Sequence, residues 1–284
     1  MKPLLDRALV WFRRDLRVDD QAALYHALKS AKQVFCAFVL DRDILDALPR
    51  ADRRVEFILG ALQVLDEDLR KIGGALIVRR GFASDEIPRL AAELGVQAVF
   101  TNHDDEPQAL QRDALVAELL KSFNAELRTF KDHVIFERRE VMTASGGPYG
   151  VFTPYKNAWL KKVNDFYLSG YPVERHAQAL AKSQLAQGVP SLKDIGFQPT
   201  DLPTHVGQGS RGAEALLDDF LDRIADYDKR RDFPAMASRR RGWAVAFGSA
   251  SGLAHKGSAD ATASPARRWA RVSQRSSPGS PTRR

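Results

Sequence analysis

Gly207-Gln208-Gly209-Ser210-Arg211-Gly212 has the G-x-G-x-x-G spacing that lets a main chain approach a pyrophosphate at a helix N-terminus. That fingerprint needs a buried strand immediately before it, and Thr200-Asp201-Leu202-Pro203-Thr204-His205 is loop-like instead. A flexible linker is the expectation. The first apolar run, where a dinucleotide fingerprint would belong, ends in Trp11-Phe12-Arg13-Arg14-Asp15-Leu16-Arg17 without a glycine, which argues against conventional NAD binding. His103-Asp104-Asp105-Glu106 has metal-ligating types, but four adjacent side chains cannot all face one ion, and no second cluster at ligand spacing accompanies them. No metal is expected. The segment reads as a solvated loop or as a polar contact to a ligand. The six histidines are scattered, and they form no Ser-His-Asp or Cys-His set.

The elements that would position these residues come next. Ala8–Phe12, Val34–Val39, Ala75–Val78, Ala98–Thr101 and Leu127–Phe130, with Val134–Phe136 just after, are apolar runs of buried-strand length. Between them, Arg53–Ile72 repeats Val55, Ile58, Leu62, Leu65, Leu69 and Ile72 at steps of three and four, the stripe of an amphipathic helix closed by Gly73-Gly74. Ser84–Leu94 predicts a helix with Ser84 as N-cap and Gly95 as terminator, and Pro107–Leu120 predicts another. Strands alternating with helices require crossover connections. Residues 1–135 are therefore expected to form an α/β domain, a doubly wound, five-stranded parallel sheet of Rossmann-like build. Ligands of such sheets sit at the carboxyl ends of the strands, beyond Phe12, Val39 and Thr101. Phe152–Leu168 and Ala213–Tyr227 look helical, and Ser169–Gly212, rich in Gly, Pro, Ser, Gln and Thr, reads as a long connection.

The net charge of +7 invites a nucleic-acid reading, but its distribution does not support one for the folded body. Ala237–Arg284 holds nine Arg and one Lys against Asp260 alone, which leaves 33 basic and 35 acidic residues in Met1–Met236. That last segment is made largely of Ala, Ser, Arg and Gly, and disorder is expected of it. The single cysteine, Cys36, rules out a disulfide framework and suits a reducing cytoplasm. Neither a signal peptide nor a membrane span is read from the sequence.

One ordered set of segments is more specific than any motif taken alone. Leu9–Leu24, LVWFRRDLRVDDQAAL, carries a W-F-R-x-D-L-R core. It is followed by Val39-Leu40-Asp41, then by Arg54 with Phe57 and Leu62, then by Asn102 and Glu106. Val151-Phe152-Thr153-Pro154-Tyr155-Lys156-Asn157-Ala158-Trp159 comes next, and Gly212, Glu214, Ala215, Tyr227, Arg231, Asp232 and Pro234 complete the set. In this order the segments resemble the photolyase/cryptochrome family over residues 8–235. Taken alone, Arg13, Arg14 and Arg17 would be a surface charge run.

The resemblance implies an α/β domain that helps hold a light-harvesting chromophore of folate or deazaflavin type, and a helical domain that holds FAD. It implies blue-light-driven electron transfer to a cyclobutane pyrimidine dimer flipped out of UV-damaged DNA, where a lesion is cheaper to unstack than an intact pair. The implied divisions are an antenna domain at 1–135, an extension and linker at 136–210, the start of the FAD domain at 211–235 and an aberrant basic tail at 236–284. By position, Tyr227 matches an FAD contact, with Arg231 and Asp232 beside it. Arg14, Asp15, Arg17, Asn102 and Glu106 are expected to line the antenna crevice. Gln108 and Ala109 stand where folate-binding members carry an Asn-Glu pair, so a carboxylate on the pterin is missing. A monomer is expected.

After Pro234 the family continues with a Thr-Ser-x-Leu-Ser phosphate-binding stretch, and this chain has Ala235-Met236-Ala237-Ser238-Arg239-Arg240-Arg241-Gly242-Trp243. A reading-frame shift near codon 236 in a GC-rich gene would produce that break and the change of composition. The expectation is a photolyase by descent whose product is inactive, with Trp243 and Trp269 unrelated to the family's tryptophan chain. A cryptochrome-like light sensor is one alternative. Another is a flavin-free α/β module with a basic nucleic-acid-binding tail.

Overall fold

The computed structural model describes residues 4–202 and 207–221. Tyr227, Arg231, Asp232, Trp243, Trp269, the 236–284 segment and the last residues of the Ala213–Tyr227 helix lie outside the described residues. Among the described residues no helix is long and apolar enough to cross a membrane.

Five parallel strands form one sheet: β1 (Leu5–Phe12), β2 (Ala31–Asp41), β3 (Leu76–Gly81), β4 (Ala98–Asn102) and β5 (Glu126–Phe130), in the order β3-β2-β1-β4-β5. Strand alternation sends Ala8, Val10 and Phe12 to one face and Leu9 and Trp11 to the other. Helices cover both faces and bury most of β1, β2 and β4, whereas β5 and the end of β3 are only partly covered. The first face carries α1 (Ala22–Ser30) and α3 (Arg53–Lys71), with the short α2 (Arg42–Leu45) between them in sequence. The second carries α4 (Ala83–Leu94) and α5 (Pro107–Lys121). This is the doubly wound α/β fold that the alternating pattern predicts.

In α3 the stripe works as read. Leu62, Leu65 and Leu69 are fully buried, each contributing roughly 1.5–3 kcal/mol. Asp52 caps its start by accepting from the Arg54 N–H at 2.8 Å, and Gly73, at φ 99°, ends it in the left-handed region. Asp66, buried on the same helix, accepts from the Leu76 N–H at 2.8 Å and so ties α3 to the first residue of β3. Cys36 is wholly enclosed on β2, and burial pushes its thiol pKa up.

Several expectations need correction. Ser84 is not the N-cap of α4. The cap position is Phe82, without a side-chain bond, and Asp41 at the end of β2 accepts from the Ala83 N–H at 3.4 Å. Val134–Phe136 forms no strand. The helix expected at Phe152–Leu168 stops as α6 (Phe152–Lys162), where Val163 turns extended and the Asn164 side chain accepts from the Phe166 N–H at 3.0 Å.

The G-x-G-x-x-G segment is not a free linker. It opens α7 (Gly209–Leu221), which packs on α3. Gly209 has φ 66°, and a Cβ there would sit 3.0 Å from Val64 Cβ; a methyl at Gly212 would overlap Gly207. The glycines thus permit close helix packing.

Residues 171–202 were expected as connection, yet they form a strap built into the core. After a 3₁₀ helix (Val173–Ala179), Leu180 bridges to Val34, in the lane of β3 just ahead of its first residue. The Ala181 N–H donates to Val34 O at 2.9 Å. Val173, Ile195 and Phe197 are buried in the first-face core. The strap then closes on α3, where Arg53 pairs with Asp201, and on the preceding loop, where the Gln198 N–H donates to Arg50 O at 2.7 Å.

Phe197→Ala should lower unfolding stability by about 3–5 kcal/mol, the cost of emptying a core site. Urea unfolding followed by Cys36 labelling with a thiol reagent checks it. Cys36 should stay unreactive until the whole domain opens, and a neutral Phe197→Ala would return the strap to the status of a linker.

Candidate functional site

The strand order places a topological switch point between β1 and β4, because the chain leaves β1 toward β2 on one side and β4 toward β5 on the other. Three exits converge there: Arg13–Arg17 after β1, His103–Glu106 after β4 and Lys131–Phe136 after β5. The N-terminus of α1 faces the same place.

The first N–H groups of α1 have no partner within the helix. Here three side chains from three segments take them. Asp132 Oδ1 accepts from Ala22 N at 2.9 Å, Asn102 Oδ1 from Ala23 N at 2.9 Å, and Gln21 Oε1 from Leu24 N at 2.6 Å. Asp15 holds this set in place. Its Oδ2 accepts from Gln21 Nε2 at 2.6 Å and from the Asn102 amide, and its Oδ1 accepts from the Arg13 N–H at 3.1 Å. Arg17 completes it with an ion pair to Asp132 Oδ2 at 2.8 Å, the two side chains being 3% and 1% exposed, and with a bond to Asp20 O at 2.6 Å. Asp20, at φ 50°, accepts from the Tyr171 N–H at 2.7 Å and brings the strap to the cluster.

This geometry decides what α1 can bind. A helix N-terminus is an anion site only while its N–H groups are open. Those of α1 are filled by Asp132, Asn102 and Gln21, and a carboxylate already sits on the positive end of the dipole. A pyrophosphate has no place there, in agreement with the missing glycines. Asp15, Asp132 and His133 do present ligand atoms within 4.8 Å of one another. Both carboxylates are already engaged and the Arg17 guanidinium stands against one of them, so the group fits an internal brace and not a cation site.

A more open ring surrounds the brace. Arg14, 52% exposed, pairs with Glu106 at 2.8 Å and with Asp104 at 3.3 Å, and Glu106 is itself 62% exposed. His103 Nδ1 lies 2.9 Å from Glu137, its Nε2 lies 3.0 Å from Thr129 Oγ1, and Arg138 pairs with Asp105. Within His103–Glu106, Asp104 and Glu106 share Arg14, while His103 and Asp105 go to other partners, so the four do not converge on one point. Beside them Arg13 makes a two-pronged pair with Asp113 at 2.7 and 2.9 Å, and Arg13 and Arg112 both stand over the Trp11 ring.

All five residues expected at the crevice are therefore gathered at the switch point, in two different conditions. Asp15, Arg17 and Asn102 are buried and hold α1, whereas Arg14 and Glu106 are open to solvent. Sequence reasoning missed Gln21, Asp132 and Tyr171. Asp132 could have been found by the same rule that pointed to Asn102, since it follows the end of a strand.

The model of the family described as DNA photolyase matches residues 8–178. The chain belongs to the DNA photolyase family. Its relatives within the photolyase/cryptochrome family include a deoxyribodipyrimidine photo-lyase of Synechococcus sp., 34% identical over 236 residues, covering 81% of this chain and 48% of that protein. Cryptochrome-2 of Gallus gallus is 30% identical over 238 residues, covering 79% of this chain and 40% of that protein. Among solved structures, a bacterial class III photolyase from Agrobacterium tumefaciens superposes with a TM-score of 0.67 at 27% identity, over 83% of this chain and 48% of its own. The photolyase-family chain described here thus spans less than half the length of each of these relatives.

Arg17→Ala or Asp132→Ala should each cost about 3–5 kcal/mol, because either leaves a buried charge unpaired. The double variant should cost clearly less than the two together. A double-mutant cycle in urea measures this, and additivity would remove the pair from its role as brace.

Proposed function

We propose that this chain is the α/β half of a photolyase-type DNA repair flavoprotein acting on cyclobutane pyrimidine dimers in UV-damaged DNA, in the cytoplasm. The observation that carries the reading is the switch-point brace, built from the residues of the W-F-R-x-D-L-R segment and from Asn102, together with family membership. FAD would supply the light-driven electron transfer to the lesion when bound by the family's helical domain. In this reading Tyr227 contacts that FAD, with Arg231 and Asp232 beside it.

The part played by the described residues is to set a rigid platform. Arg14 and Glu106, paired with each other and open to solvent, are the crevice side chains that would meet an antenna chromophore. Asp15, Arg17 and Asn102 act on it through the backbone they hold. Folate is the weaker choice of antenna, since Gln108 and Ala109 replace the family's Asn-Glu pair.

The sequence after Pro234 lacks the Thr-Ser-x-Leu-Ser stretch, so the chain as written is proposed to be inactive in repair through a frame shift near codon 236. The similarity to cryptochrome-2 keeps a light-sensing role as the second reading. The residues that would separate repair from sensing are not in the α/β half.

Purified as written, the chain should carry no stoichiometric flavin absorbance and should not split thymine dimers in an irradiated oligonucleotide. Restoring the alternative frame after codon 236 should give both properties. Stoichiometric FAD on the chain as written would overturn the inactivity. A frame-restored protein that binds FAD yet leaves dimers intact would favour the sensor.

A further inference from the structure

A cleft of about 440 Å³ lies away from the switch point, between the carboxyl half of β3 and the strap. Leu40, Val78, Leu185, Val189 and Ile195 supply its apolar lining, and Arg80 and Asp194 stand among the polar groups of its wall. The volume falls in the range of small-molecule sites, and the accessible lining is more polar than apolar. Arg80 and Leu40 are register partners on β3 and β2, so the sheet fixes one wall, and the strap residues Leu185–Ile195 form the other. Among the described residues β3 is an edge strand, paired within the sheet to β2 alone.

The charges on this wall are unevenly matched. The Arg79 guanidinium is already held by Glu93 of α4 at 2.6 Å. Among the described residues Arg80 makes one long bond, 3.5 Å from Nη1 to the Asp194 carbonyl. Among the described residues the Asp194 carboxylate makes no ion pair with it, although its negative charge lies in the same wall. Asp194 Oδ2 is turned to Ser191, accepting from its N–H at 2.8 Å and its Oγ at 2.7 Å, and those bonds hold the Asp194 carboxyl below the usual carboxylate range. An exposed guanidinium beside the partly exposed Val78, Leu185 and Val189 matches a ligand with an acid group at one end and a small apolar body at the other.

We propose that the cleft between β3 and the strap binds a small amphipathic anion, with Arg80 gripping its carboxylate, sulfonate or phosphate and the partly exposed Val78, Leu185 and Val189 receiving its apolar ring. The inference does not depend on the repair reading, because it uses neither the switch-point crevice nor FAD.

The test is titration of the full ¹⁵N-labelled chain with 2-naphthoate and, separately, with its neutral analogue 2-naphthamide. Naphthoate should bind saturably, with amide shifts concentrated at Val78–Arg80 and Gly188–Ile195. Arg80→Gln should weaken naphthoate at least about 10-fold, as expected for loss of a charge-assisted bond, and leave naphthamide unchanged. Val189→Trp, which fills the cleft from the strap side, should abolish both. Arg80 is exposed, so its replacement does not threaten the fold. Absence of saturable naphthoate binding, shifts mapping to another surface, or an affinity indifferent to Arg80→Gln would each overturn the proposal.

Discussion

The α/β domain depends on how the N-terminus of α1 is satisfied. A helix that begins inside a protein leaves N–H donors that cost free energy unless they find acceptors. Here the acceptors arrive from β4's exit, β5's exit and the helix's own cap residue, so closing this one helix end requires three segments distant in sequence to reach their final places. Asp15 and Arg17 then hold those acceptors in position. The W-F-R-x-D-L-R segment is in this sense a structural keystone first. Its proximity to the crevice follows from the geometry of parallel sheets, which brings strand exits and helix starts to the same end.

The brace also explains why the crevice differs from that of dinucleotide-binding sheets of similar topology. Those leave the first helix open and place a glycine turn ahead of it for the phosphate. This chain fills the same helix end with protein acceptors and places arginines where the glycines would be. What remains accessible is an outer ring of side-chain charge, Arg14 against Asp104 and Glu106, in place of main-chain donors.

The sheet was legible in the sequence because its strands are short apolar runs and α3 has an unbroken three-four stripe. Both are local signals that survive tertiary packing. α1 escaped because nine residues, AALYHALKS, give too little periodicity, and its cap is Gln21, a residue seldom used there. The strap escaped for a different reason. Val173, Ile195 and Phe197 are isolated apolar residues among Gly, Pro and Ser, and their burial comes from the sheet they lie on and not from any period of their own. At the site, strand-end reasoning found Asn102 and Glu106. It could not tell that Asn102 faces inward and Glu106 outward, because that depends on where the α1 N–H groups point.

The strap has a consequence for the order of events during synthesis. β3 ends at Gly81, while the residues that settle beside it, Leu180 to Phe197, are made about a hundred residues later. At a ribosomal rate of 5–20 residues per second, the nascent sheet waits on the order of ten seconds with this flank bare. During that interval an unpaired edge and a part of the first-face core are open to other nascent chains. The domain therefore carries an interval of aggregation risk set by translation and chain order, which its finished stability does not reveal.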